Sequence, residues 1–203
     1  MLAELKVRKH VRGVSMIEIL IGIAIIAILI ALGLPSIGEL MRNTKVRNAA
    51  ESVQNGLNAA RAEAVKRNAT IVFQLTDSAN VNWQICLWDM AADACKSGVD
   101  LIQSYKSSDG ASNVRAGADA AVPAAGAVAT RLGAGVGLPG RVGFTGFGRL
   151  AVPATDLQRI DFYDSTVAEA DQRRMVLLIS TGGQVRMCDP QVKLSVTPRG
   201  CEG

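Results

Sequence analysis

The chain has 203 residues, 49% hydrophobic and 4% aromatic, with a formal net charge of +4, which leaves room for one domain of ordinary size beside an anchor. Most of that charge sits in the first 13 residues, where Lys6, Arg8, Lys9 and Arg12 face only Glu4; the rest carries 18 basic against 17 acidic side chains, a weak footprint for nucleic acid. The single histidine, His10, lies in the same short segment, so the remainder excludes Ser-His-Asp and Cys-His catalysis and lacks the commonest zinc ligand.

The first predicted element is residues 14–37, VSMIEILIGIAIIAILIALGLPSI. As helix, its 24 residues reach about 36 Å, enough to cross a hydrocarbon core of roughly 30 Å. It is apolar on all sides, which suits a bilayer or a packed helical bundle and not a half-exposed amphipathic helix. Glu18 is the exception. A carboxylate in such a span costs on the order of 2.5 to 3.5 kcal/mol on insertion scales, so it needs a partner or a task. A secretory signal peptide would have a shorter apolar core and a small-residue cleavage site, and an ordinary single-pass anchor leaves Glu18 unexplained. The preceding basic residues predict a cytoplasmic N-terminus and a periplasmic or extracellular remainder. Pro35 removes a backbone donor and is expected to kink the helix.

The order basic segment, Gly13, Val14, apolar run with Glu18 resembles the class III signal of type IV pilins and type II secretion pseudopilins. The resemblance implies a leader, residues 1–13, removed by a prepilin peptidase that cuts after Gly13. Val14 would then be methylated and Glu18 would serve assembly into a filament. Val14 stands where phenylalanine is usual, and the leader is somewhat longer than many.

Beyond Pro35 the pattern becomes amphipathic over 39–68. Val46, Ala50, Val53, Leu57, Ala60 and Ala64 recur at spacings of three and four, with Arg42, Lys45, Arg47, Glu51, Arg61, Glu63, Lys66 and Arg67 mostly elsewhere on the wheel. One apolar stripe of this kind docks on a sheet. The stretch GLNAARAEAVKRNATIVFQL, 56–75, is similar to the helix-to-first-strand segment of the GspH/FimT/FimU group, carried here by Ala60, Arg61, Glu63, Ala64 and Asn68. Taken as residues, Arg61, Glu63 and Arg67 read as solvated or locally paired, with a subunit contact as the alternative.

Thr70–Leu75 and Asn82–Trp88 carry strand signals around the turn-prone Asp77–Asn80, which reads as a hairpin. Trp83 and Trp88 read as packing or edge residues, since no basic cluster interleaves with them. Residues 110–140, dominated by Gly and Ala with Pro123 and Pro139, are expected to form a long surface loop. They hold no phosphate-binding loop of the GxxxxGK(S/T) type and no dinucleotide fingerprint. Strand signals resume at 141–144, 148–152, 158–163, 174–180 and 184–188. The segments FTGFGRL (144–150) and VLLISTGGQVRMC (176–188) again resemble the C-terminal sheet of the same group. No cofactor or catalytic residue is expected.

Cys86, Cys95, Cys188 and Cys201 all follow the apolar run, on the side where disulfides form. They fall into two local pairs with eight and twelve intervening residues, although four cysteines permit three connectivities. A four-thiolate zinc site is the rival, and it lacks the usual short C-x2-C knuckle.

The expected architecture is α+β and pilin-like: a long N-terminal helix, apolar in its first half, packed on an antiparallel sheet, with a 38–203 globular domain in the periplasm. The resemblance implies a minor pilin that primes or caps a type IV pilus, with the minor pseudopilin H of type II secretion as one alternative. Its implied partners are other minor pilins or pseudopilins, the major pilin, the prepilin peptidase and the inner membrane. A DNA-capturing competence pilin is the other alternative. Members of that kind carry a Gly-Arg-x-Arg pattern, but the matching positions here are Gly183, Gln184, Val185 and Arg186, which leaves Arg186, Lys193 and Arg199 as candidate phosphate contacts.

Overall fold

The computed structural model describes residues 13–77, 80–89, 94–95, 101–121, 123 and 127–201, with the backbone alone over 32–36. The basic residues of the leader, and the side chain of Pro35 with its expected kink, therefore lie outside the described residues. The chain divides into two compact units, Met1–Leu40 and Met41–Gly203.

A single helix, α1 (Met16–Arg67), runs through both. Its later part presents Val46, Ala49, Ala50, Val53, Leu57, Ala60 and Ala64 as a fully buried stripe, at the three- and four-residue spacings of one helix face. Gly56 belongs to the same stripe. A Cβ there would lie 2.8 Å from Phe73 Cε2 and 3.1 Å from Trp83 Cη2, so only glycine lets the helix come this close to the aromatic layer beneath. The helix stops at Asn68, whose φ of 47° is the left-handed conformation that asparagine tolerates better than most residues.

The strands are β1 (Ile71–Leu75), β2 (Trp83–Asp89), β3 (Ala94–Cys95), β4 (Leu101–Tyr105), β5 (Val114–Asp119), β6 (Gly140–Phe144), β7 (Arg159–Asp164), β8 (Met175–Ile179), β9 (Val185–Lys193) and β10 (Gly200–Cys201). One sheet has the order β3-β2-β1-β6 with β4 also on β2; the other has the order β10-β9-β8-β7-β5. All pairings are antiparallel except β9 with β10. The expected hairpin is present, with Phe73 opposite Ile85. Its turn is organised by Asp77, whose carboxylate accepts from Asn80 N at 2.9 Å and from Asn82 Nδ2 at 3.2 Å.

Alternation in β1 sends Ile71, Phe73 and Leu75 into the core with Trp83, Ile85, Val142 and Phe144, and the second sheet adds Ile160, Phe162, Leu177 and Ile179. The fold is the expected α+β arrangement of a long helix on antiparallel structure. Two corrections concern the strands. The expected strand at 148–152 is reduced to one bridge between Phe144 and Leu150. The expected surface loop at 110–140 contains β5, whose Val114, Ala116 and Ala118 are buried. Small side chains serve close approach in this segment: Cβ atoms at Gly117 and Gly137 would overlap the backbone carbonyls of Gly133 and Ala118.

A buried charge cluster holds the remainder of that segment. Asp161 has no exposed surface. It accepts from Arg159 Nε at 2.7 Å and Nη2 at 2.8 Å, from Arg174 Nη1 at 2.9 Å and from Leu132 N at 3.1 Å. The outer nitrogens of the two arginines donate to the carbonyls of Ala127, Val128, Ala129 and Thr130. Burial lowers the pKa of Arg174, and Asp161 opposes that shift.

Both local cysteine pairs are disulfides, Cys86–Cys95 and Cys188–Cys201, with Cα atoms 5.6 and 5.0 Å apart. The second closes the C-terminal turn, where Leu194 N donates to Cys201 O and Asp189 N to Arg199 O.

Arg61, expected to be solvated or locally paired, instead joins the helix to two turns. Its Nε donates to Gly148 O at 2.9 Å and its Nη2 to Gly182 O at 3.4 Å. Leu150 N donates to Thr181 O at 3.2 Å in the same place. These turns belong to different sheets, so Arg61 is where the helix and both sheets meet. Gly183, with φ of 78°, seats against Gly148 so closely that a Cβ would overlap the Gly148 carbonyl.

Two stability predictions follow from these contacts. Arg61→Ala is expected to cost about 1.5 to 3 kcal/mol, the range for hydrogen bonds from a charged group, with Arg61→Lys intermediate because an ammonium cannot span both carbonyls. Asp161→Asn strands two buried guanidinium groups and is expected to cost about 3 to 5 kcal/mol. Denaturant unfolding of the three variants against the parent, followed by circular dichroism, checks both. A loss below 0.5 kcal/mol in Asp161→Asn, about the scatter of surface substitutions, would refute the clamp role.

Candidate functional site

The residues expected to carry processing and assembly lie at the start of the described chain. Gly13, Val14 and Ser15 precede the helix and are exposed. A Cβ at Gly13 would meet nothing within 4 Å, so the fold itself does not require glycine at this position. Ser15 is the N-cap: its carbonyl accepts from Ile19 N at 3.2 Å and its hydroxyl from Ile17 N at 3.2 Å. Glu18 is then the third helical residue, and Ser15-x-x-Glu18 has the spacing of a capping box. Its charge also lies in the first turn, where a carboxylate complements the helix dipole.

Around Glu18 the helix surface is apolar and uncovered. Met16, Ile17, Ile19, Leu20, Ile21, Ile23, Ile25, Ile26, Ile28, Leu29 and Ile30 are each more than half exposed. Exposed apolar surface on this scale marks a face that another apolar phase or another helix covers. Among the described residues no helix is long and apolar enough to cross a membrane. The part of the run with described side chains, residues 16–31, stops short of the roughly 20 residues a span needs.

At the other end of α1, the residues that resemble the GspH/FimT/FimU group have identifiable tasks. Ala60 and Ala64 belong to the buried stripe and Asn68 ends the helix. Glu63 pairs with Lys66 at 3.2 Å and Arg67 at 2.7 Å, and the hydrogen bonds from Arg67 and then Lys66 lower its carboxyl pKa. Glu63 and Arg67 are the locally paired surface residues that the spacing suggests. The missed task was that of Arg61, and the signal available for it was the pair of glycine turns in FTGFGRL and STGG, whose carbonyls need a donor.

The three candidate phosphate contacts are not equivalent. Arg186 on β9 donates from Nη2 to Gly200 O at 2.8 Å, which ties the C-terminal strand to its neighbour. Gly183, the other half of the pattern match, is demanded by its packing on Gly148. Lys193 and Arg199 are exposed and flank the turn closed by Cys188–Cys201.

No group of three or more metal-ligating side chains occurs among the described residues, and the four thiols of the rival zinc reading are consumed in disulfides.

Comparison with known proteins agrees with both ends of this description. Residues 8–34 match a prokaryotic N-terminal methylation motif, and residues 49–200 match the family described as type II transport protein GspH. No curated protein sequence matches the chain. Two crystal structures of the type IV minor pilin FimU of Pseudomonas aeruginosa PAO1 are similar in fold, each at 22% identity. One, in space group P21, is aligned over 73% of this chain and 94% of its own with a TM-score of 0.49. The other, in space group P65, is aligned over 71% and 97% with a TM-score of 0.44. The family match spans well over half of the sequence, and the chain belongs to the family described as type II transport protein GspH.

Proposed function

We propose that the chain is a minor pilin that primes or caps assembly of a type IV pilus. The observation that carries this reading is the uncovered apolar run with Glu18 in its first helical turn. Gly13 is read by a prepilin peptidase and Val14 is methylated; the open space around Gly13 supports recognition by another protein over a role in the fold. The helix first anchors the chain in the inner membrane, with residues 38–203 in the periplasm, and then enters a filament core formed by other minor pilins and the major pilin. The anchor reading takes 14–37 as one stretch, through which the backbone of α1 is continuous. Pro35 bends it where it leaves the apolar half. In the core, Glu18 pairs with a neighbour's N-terminal amine, which offsets the cost of burying its charge. The two disulfides and the long Gly/Ala segment support the pilus over the secretion system.

A pseudopilin H role in type II secretion is the second reading, favoured by the description of the matching family. A strain deleted for this chain separates the two. Loss of surface pili with normal protein secretion supports the first, and the reverse outcome replaces it with the second. DNA capture rests on Lys193 and Arg199 now that Arg186 has an internal partner; a salt-dependent gel shift with the full chain tests it.

Glu18→Ala is expected to be cut and membrane-bound but nearly absent from sheared filaments, as read by immunoblots of the two fractions. Glu18→Gln retains capping ability and removes the charge, so it is expected to fail in the same way. Normal incorporation of Glu18→Gln would assign Glu18 to helix capping and remove the proposed ion pair.

A further inference from the structure

Between α1 and β4 lies an open groove of about 600 Å³, entirely within the Met41–Gly203 unit. Its helix wall carries Asn48 and Asn55, its strand wall Gln103, and its floor Trp83 and Tyr105. The floor is built. The Trp83 and Tyr105 rings stack at 5.8 Å with 18° between planes, and Trp83 Nε1 donates to Ser52 Oγ at 3.1 Å, which fixes the indole against the helix. Gly56 makes the closeness possible, as described above. Tyr105 is half-buried and its phenol is pushed up by burial and by Asp109.

The walls are polar, uncharged and uncommitted. The side chains of Asn48, Asn55 and Gln103 have no hydrogen-bond partner among the described residues, and together they present both donors and acceptors. Among the described residues the only ionised one lining the groove is Glu51, which Arg47 already pairs at 2.7 Å. Among the described residues no cation lines it to hold a phosphate or sulfate, which argues against nucleic acids and acidic polysaccharides. An apolar peptide face is disfavoured as well, because aliphatic side chains would strip water from three side-chain amides without replacing its hydrogen bonds. What remains is a molecule with hydroxyl groups on its edges and an apolar C–H face for the aromatic floor. The volume lies within the range of small-molecule sites.

We propose that this groove binds a neutral glycan, its pyranose face on Tyr105 and its hydroxyl groups on Asn48, Asn55 and Gln103. This inference is independent of whether the chain serves a pilus or a secretion system.

The test uses the full chain in a zwitterionic detergent without a sugar headgroup, with chitotriose, cellotriose and maltotriose as probes in saturation-transfer NMR and calorimetric titration. At least one trisaccharide is expected to bind in the millimolar range or tighter. Tyr105→Ala should weaken it by tenfold or more. Because Tyr105 also packs on Trp83, the exposed Asn55→Ala and Gln103→Ala variants provide the decisive check: each should weaken binding at least threefold with an unchanged thermal midpoint. The proposal is overturned by the absence of binding for all three sugars, by binding that neither exposed variant alters, or by displacement of the sugar by heparin.

Discussion

The close approach of α1 to the sheets is the constraint on which the globular unit depends. Ala49, Ala50, Ala60 and Ala64 have no exposed surface, and Gly56 sits against the Phe73 and Trp83 rings. Small residues on the helix are matched by large ones below it, which is how a core reaches high packing density without strain. The same closeness brings Arg61 within reach of two turn carbonyls, and so lets one side chain join elements that are far apart in sequence. A larger residue in the stripe would therefore separate the polar clamp as well as the apolar contacts.

The Arg159, Asp161 and Arg174 cluster does for the 127–132 segment what hydrophobic contact does elsewhere. That segment offers little apolar area: in ASNVRAGADAAVPAAGAVATRLGAGVG most side chains are hydrogen or methyl. It cannot be held by burial at about 25 cal/mol per Å², and instead its carbonyls are held by two guanidinium groups that Asp161 neutralises in part. A buried ion pair is usually an uncertain contributor to stability, because desolvation offsets its attraction. Here both arginines also donate to four backbone carbonyls, and such additional hydrogen bonds are the condition under which a buried cluster is tolerated.

This explains which parts of the fold were legible in the sequence. The helix stripe and the β1–β2 hairpin follow from periodicities of 3.6 and 2, so Val46 to Ala64 and Thr70 to Trp88 could be placed from pattern alone. β5 could not. Its buried face is Ala116 and Ala118 flanking Gly117, a strand whose partners come close because it has almost no side chains, and composition of that kind is indistinguishable from a loop. Arg159 and Asp161 alternate within β7 as charged residues on a face that turned out to be buried, where polarity argues for solvent until Arg174 is known to lie opposite. The local cysteine pairing was one of three possibilities by count, and the antiparallel return of β3 along β2 selects Cys86 with Cys95. Arg61 was misread because its acceptors are backbone carbonyls, which leave no trace in side-chain patterns.

At the N-terminus the sequence and the structure contribute different halves of one argument. The sequence makes Glu18 costly, since a carboxylate in an apolar run has to be offset somewhere. The structure supplies a local compensation in the form of Ser15 as N-cap and the first helical turn as the place of the charge. That compensation is small: helix dipole and cap effects are each worth about 1 kcal/mol, less than the cost of taking the charge out of water. The exposed isoleucines and leucines beside it must nevertheless leave water for the chain to be soluble or inserted. The cap therefore lets Glu18 begin a helix but does not let it be buried alone. On the proposed reading the deficit is met by the amine that prepilin cleavage creates on a neighbouring subunit, so processing and assembly are linked by charge as well as by order.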